Sequence, residues 1–230
     1  MTKKNALIVG AGSGLSASLA RLFAREGMSV ALASRDTAKL SELCSDIEAL
    51  AFQCDACQEK DVADLFEKLD DADMTPDVVV YNAGARVKGP ISELDPEAVK
   101  QVLLANAYGA FLVAHQASKR MLAAGSGALL FTGASAGVKG YPQSAPFAMG
   151  KFALRGLCQS LARELHPQNI HVAHFVIDGG IYSAKRGGHH SERDKTLNPD
   201  EIARTYLNIL EQDKSAWTWE IELRPWVENF

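Results

Sequence analysis

Long hydrophobic runs are missing from this chain of 230 residues. A membrane-spanning helix needs about 20 predominantly apolar residues in succession, and no segment approaches that length. The first ten residues, MTKKNALIVG, lead from two lysines into a short apolar strand, whereas a signal peptide needs a longer apolar stretch and a small-residue cleavage site. We therefore expect a soluble cytoplasmic protein without a membrane partner.

An excess of positive charge is missing as well. The chain has 24 lysines and arginines against 28 aspartates and glutamates, which gives a net charge of -4. Binding to nucleic acid or to an anionic membrane by charge generally requires a basic surface, so the sequence favours neither partner. The composition, 47% hydrophobic and 23% charged, is typical of a packed soluble protein of one α/β domain.

Cysteine is scarce, and the four thiols are Cys44, Cys54, Cys57 and Cys158. Cys54 and Cys57 form a CxxC pair, but a second pair that would complete a zinc site is missing from the sequence. The pair follows a strand-like run and does not open a clear helix, as a redox pair would. We interpret the pair as two thiols at a strand end and predict no metal site.

Short apolar segments alternate with amphipathic segments along the whole chain. The segments that read as strands are 6–10, 29–34, 50–55, 77–84, 127–135, 170–178 and a last edge strand within 217–225. The segments that read as helices are 15–27, 36–47, 58–72, 95–125, 145–167 and 198–212. Continuous Val, Ile and Leu strands between helices predict a parallel sheet covered on both faces. We therefore predict a single doubly wound α/β domain, a Rossmann fold, over residues 1–230.

One long irregular segment, residues 179–197, follows the sixth strand. A loop of that length in a compact domain is usually functional, and its place at the carboxyl end of a strand favours a substrate lid. His189 and His190 lie in it near Glu192 and Asp194, but adjacent histidines on a strongly polar loop are usually solvated. The prediction of no metal site extends to this segment.

A glycine cluster directly follows the first strand and opens the first helix. Gly10, Gly12 and Gly14 let the backbone turn tightly and approach a pyrophosphate, and the helix start offers free N–H groups to it. This context predicts a dinucleotide site that also includes Ser13 and Leu15.

The end of the second strand favours NADP(H), although NAD(H) stays possible. Ser34 and Arg35 stand where an acidic residue would bind a ribose 2′-OH, and an arginine can pair with a 2′-phosphate. The alternative is a solvated surface arginine. Asp55, after the third strand, has two open interpretations, an acceptor for the adenine amino group or a cap for the residues that follow it.

Four motifs in this order resemble the short-chain dehydrogenase/reductases over nearly the whole chain. They are the glycine motif from Gly10, the NAG of residues 82–84, the NAYG of residues 106–109, and Lys151 in the helix after the fifth strand. The resemblance implies a nicotinamide cofactor, a small-molecule substrate and a homodimer or homotetramer. The residues then expected at the dinucleotide are Gly10, Gly12, Ser13, Gly14, Leu15, Ser34, Arg35, Asp55, Asn82, Ala83, Gly84, Lys151, Gly180 and Ile181.

The resemblance also implies a serine, a tyrosine, a lysine and an asparagine at the reacting centre. Lys151 and Asn106 match the lysine and the asparagine, whose roles in the family are to contact the nicotinamide ribose and to hold a helix distortion with a water beside the lysine. The tyrosine position is Phe147, and the serine position thirteen residues before it is Ala134. Ser135 is the neighbour of Ala134, but a shift of one residue along a strand points its side chain to the opposite face.

A further departure from the family pattern is Ser16, which stands in the third glycine position. Tyr141, Ser144 and Tyr182 have hydroxyl groups that could donate the proton in place of the missing tyrosine, although such residues more often serve packing or turns. We expect an NADP(H)-dependent oxidoreductase with an atypical site, in which a small carbonyl compound or activated alkene accepts hydride. The alternative is a catalytically silent NADP(H)-binding sensor or assembly subunit of the same fold. The two missing hydroxyl groups favour the alternative, whereas Lys151, Asn106 and the long loop favour the enzyme.

Overall fold

A computed structural model describes residues 4–183 and 195–228 of the chain. The strands are β1 (Asn5–Val9), β2 (Ser29–Ser34), β3 (Leu50–Gln53), β4 (Val78–Tyr81), β5 (Gly127–Thr132), β6 (Ile170–Ile177), β7 (Gly180–Ile181), β8 (Thr196–Leu197) and β9 (Glu220–Leu223). The helices are α1 (Leu15–Arg25), α2 (Ser41–Ile47), α3 (Glu59–Asp71), α4 (Pro96–Leu103), α5 (Gly109–Ala124), α6 (Ala145–Leu165) and α7 (Pro199–Leu210).

Seven of these strands form one sheet in the order β3-β2-β1-β4-β5-β6-β9, and every neighbouring pair is parallel. Helices cover both faces, so the strand side chains of β1 are buried alternately in two cores. Leu7 and Val9 pack with residues of α3, α5 and α6, whereas Ala6 and Ile8 pack with residues of α1, α2 and α7. Burial on both faces explains why the strands read as continuous apolar runs, and the predicted doubly wound fold is confirmed.

The strand order reverses between β1 and β4. The chain moves outward from β1 to β3 on one side, then returns to β4 and moves outward to β9 on the other. The loops that leave β1 and β4 therefore diverge at the carboxyl edge of the sheet. This crevice is where ligands bind in doubly wound proteins.

Several predicted boundaries differ from the observed ones. The segment 95–125 is not one regular helix, because the π-helical turn Leu104–Tyr108 separates α4 from α5. The fifth strand ends at Thr132, and the chain then turns into a short 3₁₀ helix, Ser135–Gly137. The predicted last edge strand is present, although it contains only the four residues of β9.

The ends of the predicted lid segment form a small two-stranded parallel sheet, β7 with β8. His189, His190, Glu192 and Asp194 lie outside the described residues, so the lid interpretation stays a prediction. Within residues 4–183 and 195–228, none of the helices is both long enough and apolar enough to cross a membrane.

Candidate active site

Lys151 is a buried cation in the first half of α6, with only 5% of its surface exposed. Its Nζ donates a hydrogen bond of 2.8 Å to the carbonyl oxygen of Thr132, at the end of β5. Burial disfavours the charged form and lowers the pKa of Lys151 to about 8, although Cys158 opposes this shift slightly. At neutral pH most of the Lys151 side chains are therefore protonated, and a small rise in pH releases the proton.

Asn106 lies in the π-helical turn and faces the same space as Lys151. Its Nδ2 donates to the carbonyl oxygens of Ala85 at 2.7 Å and of Val102 at 2.9 Å. Its buried Oδ1 has no hydrogen-bond partner among the described residues. A Cβ placed on Gly84 would lie 2.9 Å from this Oδ1 and 3.8 Å from the Nζ of Lys151. Gly84 thus leaves room beside both groups, and the free Oδ1 suits a donor from a ligand or from solvent.

Phe147 lies one helical turn before Lys151, and two cations approach its ring. The Nζ of Lys151 is 5.7 Å and the Cζ of Arg86 is 5.0 Å from the ring centroid. Both distances are within the range of cation–π interactions. The ring has no hydroxyl group, so Phe147 cannot donate or accept a proton.

The expectation that Ser135 faces away from Ala134 is wrong. Both residues line the same cleft, because β5 has already ended at Thr132 and the alternation of a strand no longer applies. The Oγ of Ser135 accepts a hydrogen bond of 2.9 Å from the hydroxyl of the exposed Tyr141. A serine and a tyrosine hydroxyl are therefore paired at the wall of the cleft, outside the two expected positions.

The other two substitute donors lie in different surroundings. Ser144 is only 1% exposed, lines the cleft, and its Oγ has no hydrogen-bond partner within the described chain. Tyr182 is not among the residues that line this cleft. It lines a separate cavity of about 640 Å³ with Ser13 and Gly14, because the chain has already turned through β7.

The cleft has a volume of about 590 Å³ and adjoins a second cavity of about 290 Å³. Asn82, Ala83 and Gly84 line both, so the NAG segment joins the two spaces. Gly180 and Ile181, which follow β6 in the chain, lie on the wall of the larger cleft. The NAG segment follows β4, and β5 lies between β4 and β6 in the sheet. The pair of cavities follows the carboxyl edge of the sheet, as an extended dinucleotide does in this fold.

The glycine loop, residues 10–14, packs closely against the backbone of the NAG segment. Gly10 has a φ of +83°, and a Cβ there would lie 2.4 Å from the backbone nitrogen of Ala83, so a larger residue would displace the NAG segment. Neither Gly12 nor Gly14 has a heavy atom within 4 Å of such a Cβ. The space in front of these two glycines can therefore admit a ligand.

Ser16, in the third glycine position, links this loop to the NAG segment. Its Oγ donates to the carbonyl oxygen of Gly10 at 3.1 Å and accepts from the Nδ2 of Asn82 at 2.7 Å. The side chain of Leu15 is buried in the core, so its backbone is the part of this residue that a ligand can reach.

Ser34, Arg35 and Asp55 line the smaller cavity together with Cys57. The Oδ1 of Asp55 accepts a hydrogen bond of 3.0 Å from the backbone N–H of Cys57, so this carboxylate stabilises the turn before α3. Burial is the largest cause that raises the pKa of Cys57 to about 11 and that of Cys54 to about 12. Both thiols are free and protonated at neutral pH, and the described residues contain no cluster able to hold a metal ion.

Charged residues of the cleft that the sequence patterns do not single out are Arg86, Lys88, Asp178 and Glu228. Asp178 is paired with Lys139 at 3.4 Å and with Arg224 at 3.0 Å. Arg86 and Lys88 follow the NAG segment by two and four residues. Their proximity to that motif is a signal that could have identified them.

Comparisons with known proteins identify the family of this chain. The family model described as short chain dehydrogenase matches residues 4–189. Human 17-beta-hydroxysteroid dehydrogenase type 1 is 33% identical over 252 residues, which cover 93% of this chain and 76% of that protein. An uncharacterized oxidoreductase of Staphylococcus saprophyticus is 26% identical over 228 residues, which cover 96% of this chain and 97% of that protein.

Two solved structures are similar over almost their full length. A short-chain dehydrogenase from Rhodopseudomonas palustris has a TM-score of 0.83 and 35% identity, with 97% of this chain and 100% of that chain covered. A metagenomic short-chain oxidoreductase in complex with NADP has a TM-score of 0.85 and 25% identity, with 98% of each chain covered. The protein therefore belongs to the short-chain dehydrogenase/reductase family of oxidoreductases, which use nicotinamide cofactors.

Proposed function

We propose that the protein is an NADP(H)-dependent oxidoreductase with an atypical active site, in which a small carbonyl compound or activated alkene accepts hydride. The observation that carries this proposal is the convergence of the Nζ of Lys151 and the unpartnered Oδ1 of Asn106 beside Gly84. A buried cation and a buried free acceptor both cost stability, which favours a functional reason for keeping them.

The residues at the carboxyl edge fit a dinucleotide. The open faces of Gly12 and Gly14 and the close packing of Gly10 on Ala83 leave backbone exposed where a pyrophosphate would bind. When bound, the dinucleotide supplies the hydride. Arg35 at the end of β2 supports NADP(H), because its guanidinium can pair with a 2′-phosphate while Ser34 leaves space and a hydroxyl beside it.

The proton has to come from a group other than Phe147. Lys151 is the best candidate, since its pKa of about 8 allows it to give a proton to an oxygen atom that develops negative charge in the cleft. The hydroxyl pair of Tyr141 and Ser135 is a second possible source, and its place at the cleft wall supports this role. Asn106 would keep Lys151 and its hydrogen-bonding partners in position for this proton transfer.

A second candidate function is an NADP(H)-binding sensor or assembly subunit without turnover. The apolar side chains of Phe147 and Ala134 favour it, because the family uses hydroxyl groups at both positions. The sensor and the enzyme share the same cofactor site, and only turnover separates them.

The test is a screen of NADPH oxidation against aldehydes, ketones, quinones and enones. The wild-type protein is compared with Lys151→Met and with Lys214→Met, a matched change of an exposed lysine at the opposite edge of the sheet. Activity that disappears in Lys151→Met and survives in Lys214→Met supports the enzyme. Silence on the whole panel together with micromolar NADPH binding supports the sensor, and the lack of any heat with either nicotinamide dinucleotide contradicts both.

The exposed faces of α5 and α6 support a homodimer or homotetramer. Tyr108, Phe111 and His115 form a ladder of stacked rings with centroid separations of 6.0 and 5.8 Å, and Phe111 is exposed. Met149 and Phe152 of α6 are exposed as well. Sedimentation of wild-type protein and of Phe111→Lys tests this proposal, which predicts a smaller species for the variant.

A further inference from the structure

Arg86 lies above the ring that occupies the tyrosine position. Its Cζ is 5.0 Å from the centroid of Phe147, and both residues line the cleft with Ala134 and Ser144. A guanidinium group therefore lies over the face of the Phe147 ring, in the same cleft as the two positions that lack hydroxyl groups.

The loop that carries Arg86 is held at both ends. At its start, the carbonyl oxygen of Ala85 accepts a hydrogen bond of 2.7 Å from Asn106, in the π-helical turn. At its end, the backbone N–H of Gly89 donates a hydrogen bond of 3.0 Å to the carbonyl oxygen of Gln143, just before α6. Because both anchors belong to elements that build the site, they hold the backbone on both sides of Arg86 close to Phe147.

Within residues 4–183 and 195–228, no carboxylate neutralises the positive charge on this side of the cleft. Among the described residues, neither Arg86 nor Lys88 forms an ion pair, although both are exposed to the cleft. Two carboxylates, those of Asp178 and Glu228, also line the cleft. They follow β6 and β9, which lie on the opposite side of β5 from β4 and its loop. Asp178 is already paired with Lys139 and Arg224, which leaves Glu228 near the end of the described chain.

We propose that Arg86 binds a carboxylate of the substrate, and that the substrate class is a small keto acid. Lys88 strengthens the attraction at the mouth of the cleft. This inference rests on the proposed function and narrows its substrate. A guanidinium group presents two parallel N–H donors that match the two oxygens of a carboxylate. It stays charged at every physiological pH, so Arg86 binds the substrate and does not supply the proton for the reduction.

The reaction balances with groups already named. With NADPH bound, the cofactor would supply the hydride that the carbonyl carbon of the keto acid accepts, and NADP⁺ would remain. The π electron pair of the C=O bond moves to the oxygen, which takes a proton from the ammonium of Lys151, and solvent returns a proton to the lysine. The product is a hydroxy acid, still held by Arg86 through its carboxylate.

The test is a comparison of each acid with its own ester, which differs in charge and little in shape. Calorimetry of the NADP⁺-loaded protein measures the binding of pyruvate against methyl pyruvate and of acetoacetate against methyl acetoacetate. No turnover takes place, because the oxidised cofactor cannot reduce a keto group. We expect the acids to bind at least about ten-fold more tightly than the esters.

Three variants assign that preference to Arg86. Arg86→Gln should abolish it, and Arg86→Lys should keep part of it, because lysine retains the charge without the two parallel donors. Arg25→Gln is the matched control, since Arg25 is an exposed arginine at the end of α1, at the opposite edge of the sheet, and should leave the preference unchanged. The melting temperature and NADP⁺ affinity of each variant verify that it is folded.

Equal binding of acid and ester, no binding of either acid at millimolar concentration, or a preference that survives in Arg86→Gln would overturn the proposal. Failure of the proposed function is seen separately, as a lack of NADPH binding or of turnover on any substrate. An acid preference that depends on Arg86 supports the carboxylate site in either case.

Discussion

Phe147 has a different chemical setting from an ordinary buried phenylalanine. Lys151 approaches its ring from α6, and Arg86 approaches it from the loop after β4. The negative face of the ring attracts both cations without taking their protons. Residue 147 is therefore the position at which a single hydroxyl group should change the chemistry most.

The double change Ala134→Ser and Phe147→Tyr should create or increase carbonyl reductase activity. A tyrosine there would place a phenol one helical turn from the ammonium of Lys151, which lowers the pKa of the phenol and makes it a proton donor. A gain of about 10² in rate is expected from an added acid catalyst of this kind. The measurement is NADPH oxidation on the same panel as for the wild type, and each single change serves as a control. No gain in a folded variant that binds NADPH would contradict the prediction.

Reduction should slow as the pH rises through about 8. The pKa of Lys151 is lowered to about 8 by burial, so the ammonium that gives the proton is present below this pH and lost above it. The pH profile of kcat/KM measures this inflection. Lys151→Arg keeps the charge but does not titrate in this range, so an inflection that persists in this variant would mean that another group titrates.

Arg35→Asp should shift the cofactor preference from NADPH towards NADH. The carboxylate would repel a 2′-phosphate and accept a hydrogen bond from a free ribose 2′-OH. We expect the ratio of the two affinities to change by about ten-fold or more, which calorimetry with each dinucleotide measures. Arg25→Asp is a charge-matched control. An unchanged ratio would remove Arg35 as the selector.

Among the elements, the contact between α6 and the π-helical turn decides the geometry of the site. Gly150, directly before Lys151, faces Asn106, and a Cβ on Gly150 would lie 2.8 Å from the Cβ of Asn106. The absence of a side chain at Gly150 therefore allows the two elements to approach closely. This approach brings Lys151 and Asn106 to the same space beside Gly84.

Gly150→Ala should destabilise the protein by about 1 to 3 kcal/mol, because the added methyl group forces the two elements apart. Gly156→Ala, on the exposed face of the same helix with no heavy atom within 4 Å of the new Cβ, should instead stabilise it by up to about 1 kcal/mol. Urea unfolding of both variants gives the comparison. Equal effects at the two positions would show that the contact does not constrain the helix.

At the scale of the whole molecule, a partly buried polar chain joins α6 to the edge of the sheet. Arg155 of α6 donates two hydrogen bonds, of 2.6 and 2.7 Å, to Glu220 of β9. Glu220 also lies 3.0 Å from the Nδ1 of His174 on β6, and this histidine is fully buried. Burial lowers the pKa of His174 to about 4, against the weaker opposite effect of Glu220. Glu220 of the edge strand β9 thus links α6 to the neighbouring strand β6.

The free energy of unfolding should fall as the pH drops from about 6.5 towards 4. The folded pKa of His174 lies below its ordinary value, so the unfolded state binds the proton first. The contribution is fully present above the unfolded pKa and is lost in this window, and it amounts to about 3 kcal/mol. Urea unfolding at several pH values measures it. His174→Gln should flatten the slope, and an equal slope in the variant would assign the effect to other groups.

Much of the fold could be predicted from the sequence, because each strand and helix has a local pattern. Strands buried on both faces read as apolar runs, and the glycine loop reads as a turn between strand and helix. Lys151 and Asn106 were found by their motifs, and the structure places them beside the same glycine. Ser135 was misplaced because the end of β5 depends on where the sheet stops pairing, which no local pattern records. The roles of Ala134 and Phe147 stay predictions.

The sequence by itself determined the alternation of strands and helices, the family, and the residue types available at the carboxyl edge. These properties follow from periodicity and from motifs that are contiguous in the chain. Only the tertiary structure decided that Arg86 lies over Phe147, that the π-helical turn aims Asn106 at Gly84, and that Glu220 reaches His174. Arg86 and Phe147 are 61 residues apart in the chain, and His174 and Glu220 are 46 residues apart. The position of Asn106 depends on the close packing of the π-helical turn against α6. The free energy of such contacts depends on how separate elements meet, which local sequence does not encode.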